Sequence, residues 1–270
     1  MMKLENARVL FIGAAGGIGR HLARELLEAG AHPCLVALRE DELESLREFL
    51  GASGDPACFL AADVTRKADR ERCVQTMLND LGGVDMLINL AGINAFARYE
   101  EQSAESIERI MSVNTIAPML MVHALLPHML RQGKGQIVNI GSTFGSIGFS
   151  CFTAYSASKF ALRGFSQALR RELAGSGIGV TYVAPRGVDT PLNPPEVYAM
   201  AEEVNMAFDK PEMVAREILL AVKKGCKEKY IGFPESLFAR INGILPGVVD
   251  NSLRKQNEVM KKYAAAGSNP

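Results

Sequence analysis

The chain has 270 residues, of which 48% are hydrophobic, and this length is enough to bury a large core in a single domain. Acidic and basic residues are equal in number, 30 of each, so there is no basic field that would attract nucleic acid. No run approaches the ~18 apolar residues of a membrane span and no signal-like segment precedes the first apolar stretch, so we expect a cytoplasmic protein.

Short apolar runs alternate with amphipathic segments along the chain, which is the pattern of alternating strands and helices. Strands are predicted near residues 7–12, 33–38, 57–61, 85–89, 135–141, 178–184 and 228–232. Helices are predicted near residues 17–29, 41–50, 67–80, 103–130, 153–175 and 211–224. Strands without polar alternation fit a parallel sheet covered on both faces. We therefore predict an α/β fold with a doubly wound, Rossmann-like parallel sheet and ligands at the carboxyl ends of its strands.

The first predicted strand leads directly into a glycine-rich loop and then into a helix. The loop contains Gly13, Gly17, Ile18 and Gly19. Glycines permit a tight turn and let backbone N–H groups approach a pyrophosphate, which then lies at the positive end of the helix dipole. In this strand-to-helix context the loop predicts a dinucleotide-binding site.

A second signal lies in the middle of the chain. Tyr155 and Lys159 are four residues apart on a predicted helix, so they share one face. We expect the lysine ammonium to lower the phenol pKa from its usual value of about 10 and so make Tyr155 a general acid and base. Ser142 follows a predicted strand and could bind the same substrate oxygen. The three residues suit proton transfer to or from a carbonyl or alcohol oxygen.

Over residues 6–235 the sequence resembles the short-chain dehydrogenase/reductase family, whose G-x-x-x-G-x-G loop and Ser, Tyr and Lys it contains in the family's order. The resemblance implies that Asn114 is the fourth catalytic residue and that Asp63 contacts adenine. It also implies cofactor contacts from Gly13, Gly17, Ile18, Gly19, Arg39, Asp63, Val64, Asn89, Ala91, Gly92, Tyr155, Lys159, Val188 and Thr190. We treat residues 1–270 as one such domain, with a core over about 6–235 and a C-terminal extension over 236–270.

Three positions depart from the family pattern. Ile12 replaces the threonine before the first glycine, and Leu90 replaces an asparagine that in the family ties the central strands together. Arg186 stands where glycine is usual, in a loop whose Val188 and Thr190 match family contacts to nicotinamide. We expect Arg186 to alter this loop or to approach the substrate.

The choice of cofactor depends on the end of the second strand. Ala37 occupies the position that is aspartate in relatives preferring NAD, and Arg39 could pair with a 2′-phosphate. NADP(H) is therefore favoured. NAD(H) remains possible if Arg39 is a solvated residue and Glu40 or Asp41 binds the ribose.

The resemblance implies hydride transfer between the nicotinamide and a carbonyl or alcohol substrate, with Tyr155 as proton donor and Asn114 holding a water beside Lys159. The apolar residues of the variable loop, 190–210, favour an apolar or acyl-chain substrate, although they could equally pack the loop onto the domain. Cysteines and histidines lack metal-ligand spacing, so no metal is expected. Two alternatives are a catalytically silent nucleotide-binding regulator and a membrane-associated scaffold.

The last expectations concern assembly and the extension. Helices near 103–130 and 153–175 carry apolar residues on more than one face, and family members commonly pair these helices, so we expect a homodimer or homotetramer. In the extension, apolar residues recur with helical spacing at positions 237, 241, 244, 245 and 248. We expect them to cover the substrate pocket or a neighbouring subunit, with membrane contact the least favoured possibility.

Overall fold

The computed structural model describes residues 3–266, and in this range seven parallel strands form one sheet. The strands are β1 (Arg8–Ile12), β2 (His32–Ala37), β3 (Cys58–Ala61), β4 (Met86–Asn89), β5 (Gly135–Ile140), β6 (Ile178–Pro185) and β7 (Glu228–Ile231). Their order across the sheet is β3-β2-β1-β4-β5-β6-β7. The predicted doubly wound fold is confirmed, and each predicted strand lies within a residue or two of the observed one.

Helices cover both faces of this sheet. They are α1 (Gly17–Glu28), α2 (Glu40–Leu50), α3 (Lys67–Gln75), α4 (Ala104–Met111), α5 (Ala117–Gln132), α6 (Thr153–Glu172), α7 (Pro195–Glu203), α8 (Pro211–Lys223), α9 (Glu235–Asn242) and α10 (Pro246–Ala266). A π-helical turn over residues 112–116 joins α4 to α5, so these two form one long helix. The segment 195–203, which the sequence leaves within the variable loop, is helical.

The order of the strands decides where a ligand can bind. β1 pairs with β2 on one side and with β4 on the other, so the chain reverses its direction of winding between β1 and β4. Loops that leave the carboxyl ends of these strands diverge there and open a crevice. The glycine loop after β1 and the segment 90–93 after β4 therefore lie side by side.

The helix over residues 104–132 is long and apolar enough to cross a membrane, judged by length and composition alone. The sequence analysis found no membrane span because it looked for an unbroken run of apolar residues, and this helix has polar residues among its apolar ones. One apolar face of the helix packs on the sheet, where Met121, Leu125 and Met129 are buried. Another face exposes Ile116, Met119 and Leu120 to solvent.

The C-terminal helices build a third apolar core beside the sheet. Ala239 of α9 and Val249 and Met260 of α10 are buried with Phe149 and Phe152. The extension therefore packs on the segment between Ser142 and Tyr155. Leu237, Ile244, Leu245 and Val248, which the sequence predicts to cover the substrate pocket or a neighbouring subunit, are exposed. The helix breaks at residues 243–245, so the helical spacing does not continue across the break.

Candidate active site

The glycine loop is held so close to its neighbours that side chains are excluded. Gly13 has a φ of +89°, and a Cβ there would collide with the backbone nitrogen of Ala91. A Cβ on Gly19 would collide with the carbonyl oxygen of Gly13, and one on Gly17 with the side chain of Thr190. The loop therefore presents backbone N–H groups at the start of α1, as binding of a dinucleotide pyrophosphate requires.

A long cavity runs from this loop across the carboxyl ends of β1, β2, β3 and β4. Its wall includes nine of the predicted cofactor residues: Gly13, Gly17, Ile18, Gly19, Asp63, Val64, Ala91, Gly92 and Thr190. Asp63 accepts hydrogen bonds from the backbone nitrogen and the hydroxyl of Thr65, at 3.0 and 2.6 Å. Burial would raise the pKa of this carboxyl, but the bonds from Thr65 outweigh it and the pKa is lowered. The cavity fits the size and polarity of a dinucleotide.

Asn89 does not reach the cavity wall. Its side chain points within the sheet, where Nδ2 donates to Oδ1 of Asn139 at 2.8 Å, and Asn139 Nδ2 donates to Oγ of Ser166 at 2.9 Å. These bonds tie β4 to β5 and α6. Leu90 still donates its backbone N–H to the carbonyl of Ile12 at 3.0 Å, so the central strands stay connected although the family's asparagine is replaced.

Arg39 also lies away from the cavity wall. Its Nε donates to Oδ1 of Asp41 at 2.9 Å, and its Nη1 lies 3.0 Å from Oε1 of Glu42. Local acidic partners thus hold the guanidinium that was expected to meet a 2′-phosphate. The charged side chains that do line the cavity include Arg20, Glu42 and Arg109, which sequence reasoning missed. Their positions on helix surfaces carry no distinguishing sequence signal.

The three central catalytic candidates come together at the edge of a second, adjoining cavity. Ser142 follows β5, and its side chain lies close enough to the Tyr155 phenol to lower the phenol pKa. The Ser142 Oγ also accepts the backbone N–H of Phe144 at 3.1 Å, which fixes its rotamer. Lys159 places its Nζ 5.6 Å from the centre of the Tyr155 ring and donates to the carbonyl of Ile140 at 3.3 Å. All three residues line this second cavity.

The protonation of this group differs from the expectation. Burial raises the pKa of the Tyr155 phenol to about 12, with the side chain of Ser142 opposing the rise. Burial also lowers the pKa of the Lys159 ammonium to about 8. The prediction that Lys159 lowers the pKa of Tyr155 is therefore wrong for this structure. Desolvation disfavours both charged forms, and the ammonium is directed at Ile140.

Asn114 lies in the π-helical turn and is buried. Its Oδ1 accepts the backbone N–H of Ile93 at 2.9 Å, and its Nδ2 donates to the Ile93 carbonyl at 2.9 Å and to Oγ of Ser158 at 3.0 Å. The side chain thus joins the loop after β4 to helix α6, next to Lys159. Both N–H groups of the amide are used, whereas Oδ1 accepts one bond and can accept a second, so the water expected beside Lys159 stays a prediction.

The second cavity is mostly apolar. Its wall includes Ile140, Phe144, Phe152, Leu192, Val197, Met200, Met206 and Phe208. Phe144 stacks on Phe149 with ring centres 4.3 Å apart and meets the Tyr155 ring edge-on at 5.8 Å. Val188 lies in this wall and not in the dinucleotide cavity, whereas Thr190 lines both. The two cavities therefore meet beside Tyr155.

Arg186 lines the apolar cavity, so it does approach the expected substrate position, but acidic partners already compensate its charge. Its guanidinium makes two hydrogen bonds to the Asp209 carboxylate, at 2.7 and 3.0 Å, and its Nη1 donates to the Phe233 carbonyl at 2.9 Å. Nη1 also lies 3.2 Å from the carboxylate of Glu235. The side chain therefore joins the loop after β6 to the start of the C-terminal extension.

A doubly wound parallel sheet, a glycine loop at its switch point and an adjoining Ser-Tyr-Lys group define a dinucleotide-dependent oxidoreductase. The chain belongs to the short-chain dehydrogenase family, whose model matches residues 7–200. It is similar to a protein named 3-ketodihydrosphingosine reductase from Mus musculus, with 32% identity over 86% of this chain and 73% of the relative.

Two crystal structures show the same fold. A short-chain dehydrogenase from Streptomyces avermitilis is 29% identical, with a TM-score of 0.78 over 93% of this chain and 97% of the other. The 3-ketoacyl-(acyl-carrier-protein) reductase from Brucella melitensis, complexed with NADH, is 26% identical, with a TM-score of 0.77 over 86% of this chain and 99% of the other.

Proposed function

We propose that this oxidoreductase interconverts a carbonyl and an alcohol on an apolar or acyl-chain small molecule, with NAD(P)(H) as cofactor. The observation that carries the proposal is the junction of the two cavities. Ile18, Gly92 and Thr190 line both the dinucleotide cavity and the apolar cavity that contains Ser142 and Tyr155. A cofactor in the first cavity and a carbonyl in the second would meet beside the phenol.

The side chains of the second cavity account for the movement of the proton. In reduction, the Tyr155 phenol donates its proton to the substrate oxygen while Ser142 orients that oxygen by a hydrogen bond. The nicotinamide, when bound, supplies the hydride to the carbonyl carbon. Tyr155 is then left as a phenolate, which must take up a proton before the next turnover. The oxidation of an alcohol reverses these steps.

The apolar wall supports the proposed substrate class. Aromatic and aliphatic side chains surround the Ser142–Tyr155 pair. The two cations in the wall are already engaged, Lys159 with the Ile140 carbonyl and Arg186 with Asp209 and Glu235. A phosphorylated or highly hydroxylated sugar would leave its polar groups unpaired there. Two of the similar proteins are named 3-ketodihydrosphingosine reductase and 3-ketoacyl-(acyl-carrier-protein) reductase, which supports this class.

The test of this function is cofactor oxidation by a panel of carbonyl compounds. We expect straight-chain ketones and 3-oxoacyl thioesters to support oxidation of NADPH or NADH, with kcat/KM rising as the chain lengthens, because longer chains bury more apolar surface. Sugar phosphates should give no turnover. Turnover confined to sugar phosphates, or an absence of turnover with any carbonyl, would contradict the proposal.

For the cofactor we propose a preference for NADP(H). Ala37 ends β2 and lines the dinucleotide cavity without a carboxylate, and the charge of the nearby Glu42 is compensated by Arg39. Replacing Ala37→Asp should weaken NADP(H) more than NAD(H), because the new carboxylate would repel a 2′-phosphate. Binding titrations with both cofactors measure this. Equal losses for the two cofactors, or tighter NAD(H) binding by the wild type, would contradict the preference.

A further inference from the structure

Asn94 forms part of the wall of the apolar cavity, together with Ser142 and Tyr155. Its Oδ1 is buried and has no hydrogen-bond partner among the described residues. The other asparagine in this wall, Asn193, is different, because its Nδ2 donates to the carbonyl of Val188 at 2.8 Å. Asn94 thus lines the cavity and has an amide oxygen that accepts no hydrogen bond from the described residues.

An unpaired amide oxygen in such surroundings is unfavourable. The oxygen has lost its water, and the neighbouring wall is built from apolar groups such as Phe144, Phe152 and Met206. Buried polar atoms in native proteins nearly always have partners, so each exception requires an explanation. A ligand that brings a hydrogen-bond donor into the cavity would supply the missing partner.

The position of Asn94 is fixed from both sides. The preceding residue, Ile93, is held through its backbone N–H and carbonyl by Asn114, with both bonds at 2.9 Å. After Asn94, the ring of Phe96 stacks on Phe152 at 4.8 Å, and the backbone N–H of Ala97 donates to the carbonyl of Cys151 at 3.1 Å. The backbone around Asn94 is therefore fixed, and rotation about the side-chain torsions remains available to turn the amide toward a ligand in the cavity.

We propose that Asn94 is a specificity-determining residue that binds a hydroxyl group of the substrate, so that the substrate is an apolar hydroxy ketone or the corresponding diol. This rests on the proposed function, in which Ser142 and Tyr155 bind the reacting carbonyl. A hydroxyl can donate to Oδ1 and also accept from the adjacent Nδ2, so it satisfies both ends of the amide. An ammonium group fits less well, because no carboxylate lines this cavity among the described residues.

The test compares kcat/KM for straight-chain 2-ketones with that for their 1-hydroxy and 4-hydroxy analogues. We expect the wild type to favour one hydroxylated series by roughly 10- to 1,000-fold, since a site built to bind a hydroxyl discriminates strongly against analogues lacking it. Asn94→Leu and Asn94→Ala should abolish this ratio. Asn193→Leu, the matched control, should lower kcat/KM for both members of each pair by the same factor.

A second measurement does not depend on turnover. Asn94→Leu removes an unpaired buried acceptor, so its melting temperature should equal or exceed that of the wild type, whereas Asn193→Leu breaks a hydrogen bond and should lower it. Equal wild-type kcat/KM within each pair, or an unchanged ratio in the Asn94 variants, would overturn the assignment while leaving the reductase function intact. A wild type that reduces no ketone would overturn both.

Discussion

At the scale of single residues, the reactive group combines a phenol that is neutral at neutral pH with an amine whose charged form is disfavoured by burial. Tyr155 and Lys159 were predictable as neighbours because positions i and i+4 share a helix face. The direction of their pKa shifts was not predictable, since it depends on how deeply the folded chain buries the two side chains, which helix spacing does not show. The phenol is therefore protonated at neutral pH and ready to donate.

The buried amine has a cost in stability that can be measured. Lys159 is only 4% exposed, and its pKa is lowered to about 8 from an ordinary value of 10.5. Below pH 8 the folded protein carries the full cost of burying the ammonium. Between pH 8 and pH 10.5 the unfolded chain binds more protons than the folded one, so stability rises with pH.

Replacing Lys159→Met should therefore stabilise the protein while abolishing reduction. At pH 7 we expect the free energy of unfolding to rise by about 1–3 kcal/mol, because an apolar chain of similar length needs no desolvation of charge. Urea unfolding of both proteins at pH 7 and at pH 10 measures this, and the difference should shrink at the higher pH. A variant that is less stable at pH 7 would show that the ammonium stabilises the fold.

At the scale of structural elements, Arg186 connects parts of the chain that sequence patterns treat separately. It bridges the loop after β6, Asp209 before α8, and the start of α9 at Glu235. Asp209 is 7% exposed, so its carboxylate depends on this partner. The arginine that departs from the family's glycine has thus become the link between the cofactor loop and the C-terminal helices.

Replacing Arg186→Met should lower the free energy of unfolding by about 3–5 kcal/mol, because the Asp209 carboxylate would remain buried without its partner. The double variant Arg186→Met with Asp209→Leu should recover part of this loss. Denaturant unfolding of both variants, with Arg39→Met as a control for an exposed arginine paired with acids, measures the effect. If Arg186→Met and Arg39→Met lowered the free energy of unfolding by the same small amount, the role given to Arg186 would be contradicted.

How much of the architecture the sequence predicts depends on the kind of element. The seven strands were predictable because buried parallel strands are short apolar runs bounded by turns. Helix α7 was not predicted, because its segment Pro195–Glu203 lies in a region that the family varies. Asn94 was missed for a different reason: nothing in its neighbouring residues indicates that its oxygen lies unpaired in a cavity wall.

At the scale of the whole molecule, one apolar surface is left exposed by residues 3–266, the part of the chain that the structure describes. Ile116, Met119 and Leu120 of the long helix and Phe160 of α6 are between 39% and 47% exposed. The opposite face of the same helix already packs on the sheet. These exposed residues lie on the two helices that we expect to pair across a two-fold axis. The surface that they form therefore suits contact with a second copy of the chain better than contact with a lipid bilayer.

We therefore expect a dimer or tetramer, and light scattering at micromolar concentration measures its mass. Leu120→Asp should shift the mass toward the 29.2 kDa monomer, because it places a charge in the proposed contact. Leu220→Asp is the matched control, since Leu220 is a similarly exposed leucine on a different helix, α8, and it should leave the mass unchanged. A monomeric wild type would contradict the expected assembly.

The central claim is that the Tyr155 phenol is the proton donor in carbonyl reduction. Its most direct test is kcat/KM for the best ketone of the panel, measured for the wild type, for Tyr155→Phe, and for Tyr99→Phe, which makes the same change on an exposed tyrosine. Cofactor binding and melting temperature should be similar in all three proteins. Tyr155→Phe should lose ~10²–10⁴-fold in kcat/KM, the contribution of a positioned general acid, and Tyr99→Phe should lose none. Turnover by Tyr155→Phe at close to the wild-type rate would contradict the account.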